Sequence, residues 1–127
     1  MKRAFFAAAL LLSAGLTVAP ASADELSFYS SDGPMILDVQ RDGRVHGRYR
    51  QDSGAYREGR IDGRVEGRDT ITGLWSQQES DHPCSRPREG VQAWGQFVIT
   101  EAFGRRPVGF WGYCGEQPNR PWNLKRQ

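Results

Sequence analysis

The chain has little of what a nucleic-acid-binding protein needs. Its formal net charge is only +2, and two of its 17 basic residues are Lys2 and Arg3 near the N-terminus. Without them, 15 basic residues face 15 acidic ones. Nucleic-acid binding normally requires a basic stripe on a net positive domain. We therefore expect no nucleic-acid partner.

Motifs of common catalytic and cofactor sites are also missing. There is no G-x-S-x-G nucleophile elbow, no P-loop and no C-x-x-C pair. Ser80 and His82 flank Asp81 directly, which is the wrong arrangement for a nucleophilic triad on a strand or turn. No pair among the remaining carboxylates, such as Asp38 and Asp62, is singled out for glycoside chemistry. We predict that the protein is not an enzyme and needs no cofactor.

Histidine and cysteine are scarce, with two residues of each. His46 lies among arginines on the polar side of an alternating segment, which indicates a surface position. Asp81-His82-Pro83-Cys84 offers three possible metal ligands, but a structural site usually needs four, and a disulfide-bonded cysteine cannot ligate. We predict no metal site.

An almost unbroken apolar run occurs only once, at the N-terminus. Phe5–Val18 follows two basic residues and precedes Ala21-Ser-Ala23, an A-x-A-type cleavage sequence. This pattern predicts a secretory signal peptide over residues 1–23. The alternative is an uncleaved anchor, but the run is short for a membrane helix and no second apolar span follows. We expect a periplasmic or secreted protein with no stable membrane insertion after cleavage, and the arginine-rich, lysine-poor composition favours a bacterial source.

The remaining residues, 24–127, have the length of one small domain. Two cysteines in an exported chain indicate a disulfide between Cys84 and Cys114. Closing a loop of about 31 residues stabilises the fold by about 3.5 kcal/mol in the chain-entropy treatment.

Glycine-rich alternating segments dominate residues 43–76. In Gly43–Tyr49, for example, Val45 and Tyr49 fall on one side of a strand while His46 falls on the other. Such period-two patterning is typical of half-buried β-strands, and no part of residues 24–127 shows a helical period. The strands predicted by this pattern are 26–30, 35–40, 44–50, 56–65, 70–77, 91–100, 108–114 and 122–124. We predict an all-β fold, an antiparallel up-and-down meander that forms a small barrel of about eight strands with one disulfide.

Glycines inside these strands need a physical reason, because glycine normally weakens a strand. Gly47, Gly63, Gly73, Gly95 and Gly112 lie close in sequence to aromatic residues. We predict that they let the sheet coil and let large rings lie over the backbone.

Two resemblances follow from these repeats. Asp42-Gly-Arg-Val-His-Gly-Arg-Tyr49, Ile71-Thr-Gly-Leu-Trp75 and Trp94-Gly-Gln-Phe-Val98 resemble the G-x-[VIL]-x-G-x-[YW] units of small secreted bacterial β-meander proteins, a group without an assigned activity. The first segment also resembles the third strand of the eight-stranded avidin barrels, which implies that Tyr49 would match the tyrosine that reaches the bound vitamin. The opening G-x-W segment of that family is replaced by Leu26-Ser-Phe28, and a disulfide is added. Biotin binding is therefore not predicted.

Aromatic residues concentrate in the C-terminal half, together with arginines on neighbouring loops. Tryptophan, tyrosine and arginine are the usual anchors of binding surfaces, although these rings could instead fill a core that has few aliphatic residues. The candidate ligand-binding residues are Tyr49, Trp75, Trp94, Trp111, Arg105 and Arg106. The long polar loop 78–90 is a candidate for protein recognition.

The leading functional prediction is an exported, non-enzymatic protein that binds an unknown small molecule in the barrel mouth or a secreted protein. The alternative is an inhibitor of a secreted or host hydrolase that acts through loop 78–90. An uncharacterised enzyme is the third possibility. A cavity lined by Tyr49, Trp75 or Trp94 would favour the small-molecule binder, whereas a filled interior beneath an ordered exposed loop would favour the inhibitor.

Overall fold

The structure is a computed structural model that describes residues 22–52 and 57–127. These residues form nine β-strands and no helix. The strands are β1 (Ser22–Ser30), β2 (Pro34–Gln40), β3 (Arg44–Gln51), β4 (Arg57–Glu66), β5 (Thr70–Gln77), β6 (Ala93–Thr100), β7 (Val108–Trp111), β8 (Arg120–Trp122) and β9 (Leu124–Arg126). Most of the segment predicted as a signal peptide lies outside the described residues. Within the described part of the chain, no helix is long and apolar enough to cross a membrane.

All nine strands belong to one antiparallel sheet in the order β8-β7-β6-β5-β4-β3-β2-β1-β9. Strands β1 to β8 each pair with their neighbours in sequence, which confirms the predicted up-and-down meander. Only Asn123 separates β8 from β9, yet β8 pairs with β7 and β9 pairs with β1. The sheet therefore curls until its two ends meet on segment 120–126. The sequence indicated one strand here, and the structure has two because the segment changes partner midway.

In β1 to β7, three strand ends differ from the prediction by two or more residues. β1 begins at Ser22 rather than at residue 26, and Ser22 pairs with Gln40. β6 begins at Ala93, because Val91 exchanges two backbone hydrogen bonds with Arg88 inside the preceding loop. β7 ends at Trp111, and three residues further on Cys114 has a φ of 56°, which takes the backbone out of the extended region.

Alternation along the strands divides the sheet into a buried inner face and a polar outer face. On β3 and β4, for example, Val45 and Ile61 are buried while His46 and Asp62 are exposed. The core cluster is mainly aliphatic and aromatic: Leu26, Phe28, Met35, Leu37, Val39, Val45, Ile61, Ile71, Trp75, Phe97, Ile99, Ala102, Trp122 and Leu124. Among the described residues, no buried residue is polar or charged.

Glycines open space for rings on the inner face. At Gly95 a Cβ atom would overlap the indole of Trp75, and at Gly63 it would press on the Phe97 ring. The predicted reason for strand glycines is confirmed at these two positions. Gly112 instead lies just beyond β7, close to the Gln117 carbonyl.

A meander places alternate connections at opposite ends of the curled sheet. The connections β1–β2, β3–β4, β5–β6 and β7–β8 lie at one end, which we call the mouth end. The connections β2–β3, β4–β5 and β6–β7 lie at the other, the far end. The long loop 78–92, between β5 and β6, is therefore part of the mouth end.

Candidate functional site

A cavity of about 300 Å³ opens at the mouth end. Five aromatic rings line it: Tyr49, Trp75, Trp111, Tyr113 and Trp122. The other lining residues are polar: Asp32, Gln51, Arg57, Gln77, Ser80, Asp81 and His82. The aromatic residues come from the ends of the strands and the polar ones mostly from the connections, because the core stops where the strands end. The result is a pocket that combines aromatic rings from the sheet with polar groups, most of them from the connections.

One wall of the cavity is a cluster of near-perpendicular rings around Trp75. The Trp75 Nε1–H donates a buried hydrogen bond of 3.1 Å to the Gly112 carbonyl, which holds the indole against the end of β7. Its ring centroid lies 5.8 Å from that of Trp111 and 6.0 Å from that of Tyr113. Trp111 and Tyr113 are 4.8 Å apart, at 84°. Edge-to-face contacts of this kind stabilise aromatic groups beyond simple burial, so this wall is preorganised.

The opposite wall is built on Tyr49 and Trp122. Their ring centroids are 5.7 Å apart at 90°, and Trp122 in turn packs 6.3 Å from Phe97 in the core. The other neighbour of Tyr49 is Gly59 on β4, where a Cβ would overlap the ring. Because Trp122 lies on β8, closure of the sheet by segment 120–126 completes this wall.

Tyr49 keeps a neutral hydroxyl at the cavity. Burial raises the pKa of Tyr49 far above its ordinary value, and the negative charge of Asp32 raises it further. Among the described residues, this hydroxyl has no hydrogen-bond partner, and it is not sealed from solvent. A neutral phenol both donates and accepts hydrogen bonds, so it can contact a polar group of a ligand.

The two carboxylates of the cavity differ in whether a cation pairs with them. Arg57 donates to Asp81 over 3.1 Å, an ion pair that joins the start of β4 to loop 78–92. The Arg57 side chain is 20% exposed, whereas that of Asp81 is 83% exposed. Asp32 forms no side-chain hydrogen bond or ion pair with any described residue. One carboxylate of the cavity is thus neutralised and the other is not.

Loop 78–92 is fastened to the sheet at several points. Cys84 and Cys114 form the predicted disulfide, with 5.6 Å between their Cα atoms. Beneath the loop, the Trp94 indole N–H donates to the Arg86 carbonyl over 2.8 Å, and the Arg88 guanidinium lies 4.8 Å from the Trp94 ring. At the cavity edge, His82 stacks on Tyr113 with 4.5 Å between ring centroids. These contacts hold the loop as one side of the mouth.

The structure separates the six residues that the sequence indicated as ligand contacts. Tyr49, Trp75 and Trp111 lie together on the cavity. Trp94 does not line it, because its partner across β5–β6 is Ser76, so its side chain lies on the other face of the sheet from Trp75. Arg105 and Arg106 lie in the β6–β7 connection at the far end. These two arginines are therefore a whole strand length from the cavity.

Nine lining residues were not among those candidates, and they include Asp32, Arg57, Tyr113 and Trp122. Tyr113 and Trp122 belong to the aromatic-rich C-terminal half, so composition alone pointed towards them. Asp32 and Arg57 carry no local motif, and only the pairing of distant strands brings them together. In the described part of the chain, no three His, Cys, Asp or Glu side chains group closely enough to hold a metal ion.

Comparison of the chain with protein families, curated proteins and solved structures found no match. The chemistry of the mouth cavity is thus the basis for assigning a function.

Proposed function

We propose that the protein binds a small organic molecule in the mouth cavity and does not transform it. The observation that carries this proposal is a cavity of about 300 Å³ that is lined by five aromatic rings and seven polar residues. Small-molecule sites are typically concave, mostly apolar in their walls, and about 300–1,000 Å³ in volume. This cavity lies at the lower end of that range, which suits a ligand with one or two rings.

The surroundings of the cavity support binding without chemistry. A nucleophile needs a base within hydrogen-bond reach. Among the described cavity residues, the Ser80 hydroxyl accepts a hydrogen bond from the His82 backbone N–H, and no hydrogen bond joins the two side chains. Asp81 is held by Arg57. The leader-like N-terminus and the disulfide further support a site of action outside the cytoplasm.

Native mass spectrometry of the non-reduced protein from its own host tests this proposal. We expect a reproducible adduct of about a few hundred daltons, the mass range that a pocket of this size accepts. Trp111→Ala should abolish the adduct, because it removes one of the cavity walls. Phe110→Ala is the matched control, since this neighbouring residue lies on the other face of β7 and does not line the cavity.

Intrinsic fluorescence gives an independent measurement, because three of the four tryptophans line the cavity. The released ligand, added back, should change the emission saturably in the wild type and in Phe110→Ala. A protein that carries no adduct and shows no saturable change with extracts of its host would contradict the proposal. An adduct that survives Trp111→Ala would show that the ligand binds outside the mouth cavity.

The ordered loop supports a second candidate, inhibition of a secreted hydrolase. Residues 85–90 are all exposed, although the disulfide and Trp94 hold the loop on both sides. An exposed loop that is held in place suits insertion into the cleft of an enzyme, because little conformational entropy is lost on binding. Inhibition of a hydrolase that disappears in Arg86→Ala, with the mouth-cavity adduct retained, would establish this role. Equal inhibition by the wild type and by Arg86→Ala would exclude inhibition through the loop.

A further inference from the structure

The mouth cavity has an excess of negative charge. Arg57 is the one cationic side chain among its described lining residues, and it pairs with Asp81. This leaves the Asp32 carboxylate uncompensated when histidine is counted as neutral. Residues 53–56, which lie outside the described part, have no charged side chain in the sequence. An anionic ligand would therefore meet repulsion, and a cationic one would meet attraction.

Asp32 is held rigidly at the rim. Its backbone N–H donates to the Ser30 hydroxyl at 3.1 Å, and its carbonyl accepts a 2.7 Å hydrogen bond from the Asp52 N–H. The β1–β2 turn is thus tied to the end of β3. The backbone that carries the Asp32 carboxylate is therefore fixed, and only the side-chain torsions become ordered when a charged group binds, which limits the entropic cost.

The aromatic walls suit a cation as well. The faces of aromatic rings are electron-rich and attract cations within about 6 Å of the ring centroid. Outside the cavity, the Arg120 guanidinium already lies 5.6 Å from the Trp111 centroid and 4.9 Å from that of Tyr113. Rings at steep angles to one another, like Trp75 and Tyr113, surround a ligand on more than one side.

We infer that the ligand of the mouth cavity is an organic amine, whose ammonium group binds Asp32 and whose ring or alkyl body packs between the aromatic walls. This inference rests on the proposed function and adds the chemical class of the ligand. The Tyr49 hydroxyl supplies a second contact, as an acceptor for an ammonium N–H. The hydrogen bond from the ammonium group to the Asp32 carboxylate is charge-assisted, and such bonds are stronger than those between neutral groups.

Three probes of similar size and different charge test this inference: phenethylamine, 2-phenylethanol and 3-phenylpropionate. Affinities come from tryptophan fluorescence and isothermal titration calorimetry at pH 7 and low salt. We expect the amine to bind about tenfold more tightly than the alcohol, which is the magnitude of a hydrogen bond to a charged group, and the carboxylate to bind most weakly. In Asp32→Asn the amine should lose this advantage, while the alcohol binds as before. Asp38→Asn is the matched control, because Asp38 is exposed on β2 and lies outside the cavity.

The outcomes separate this inference from the proposed function. If the alcohol or the carboxylate binds as tightly as the amine, the cavity is a binding site but the inference is wrong. An amine preference that persists in Asp32→Asn also overturns it, because the charge then comes from another residue. If none of the probes binds and the protein from its host carries no adduct, both proposals fail.

Discussion

The ring of Tyr49 lies over the backbone of Gly59, its partner across the β3–β4 ladder. A Cβ at Gly59 would overlap the far end of that ring, including the hydroxyl. The ring therefore rests on a position that only glycine leaves open. This pair sets the depth of the mouth cavity, because Tyr49 packs against Trp122 on its other side.

We expect Gly59→Ala to push the Tyr49 ring into the cavity. Overpacking of a well-packed site typically costs about 1–3 kcal/mol, so the free energy of unfolding should fall by about that amount. Urea denaturation measures this loss. Ligand or probe affinity should fall in parallel, because the displaced ring occupies the binding volume. Gly115→Ala is the control, since a Cβ there meets no atom within 4 Å. Equal stability of Gly59→Ala and the wild type would contradict the contact.

Removal of the disulfide should weaken the fold and loosen the mouth. The Cys84→Ser/Cys114→Ser double variant regains the loop-closure entropy of its unfolded chain, and we expect it to lose about 3.5 kcal/mol of stability. His82 and Tyr113 lie close in sequence to the two cysteines and stack on each other at the cavity edge. Protection of loop 78–92 in hydrogen exchange should therefore fall as well. A variant that loses stability but keeps that protection would show that the remaining contacts, such as the Trp94–Arg86 hydrogen bond and the Arg57–Asp81 ion pair, hold the loop without the disulfide.

The pKa of Tyr49 gives a prediction about alkaline pH. Burial and the charge of Asp32 raise this pKa in the folded state above the ordinary value of 10.0. Above pH 10 the unfolded chain releases the phenolic proton while the folded chain keeps it, so stability falls as pH rises from 10 towards the folded-state pKa. We expect Tyr49→Phe to fall less steeply above pH 10 in denaturation experiments. An ultraviolet titration should show one tyrosine that does not ionise with the others. If stability falls equally steeply above pH 10 in the wild type and in Tyr49→Phe, burial of this hydroxyl is contradicted.

Like charges face each other on the outer side of the β3–β4 ladder. Arg48 is directly opposite Arg60, and no ion pair within 4 Å joins either to a described residue. Directly opposed like charges destabilise a sheet, and opposite charges stabilise it by about 0.2–1 kcal/mol. Arg48→Glu should therefore raise the free energy of unfolding by about 0.5–1 kcal/mol, and high salt should reduce the gain. Arg105→Glu, the same change in the far-end β6–β7 connection, should have no such effect. A gain that is insensitive to salt would point to a cause other than charge.

The local alternation of apolar and polar residues was sufficient to predict the fold class. Alternation in residues 43–76 identified Val45 as inward-facing and His46 as outward-facing, and the structure confirms both. Two cysteines in a chain that was predicted to be exported were sufficient to predict the disulfide. These features depend on residues near one another in sequence or on a count of two, so no knowledge of distant contacts was needed.

The residues that line the cavity could not be predicted from local sequence patterns. Trp75 and Trp94 have similar sequence surroundings, yet the register of β5 against β6 puts Gly95 opposite Trp75 and Ser76 opposite Trp94, which sends the two indoles to different faces. Arg105 resembled a binding residue because aromatic residues flank its loop. Successive connections of a meander alternate between the two ends of the sheet, and the β6–β7 loop therefore lies at the far end.

The sequence by itself determined the strands, their alternation and the covalent link, because these follow from period-two patterning, glycine placement and cysteine count. Only the tertiary structure decided which side chains meet. Asp32, Arg57 and Tyr113 come from three separate mouth-end positions, and they line one cavity because the curled sheet brings its alternate connections together. Closure through segment 120–126 then adds Trp122. The physical reason is that side-chain convergence depends on register and curvature, which are properties of strand pairs and of the whole sheet rather than of any single segment.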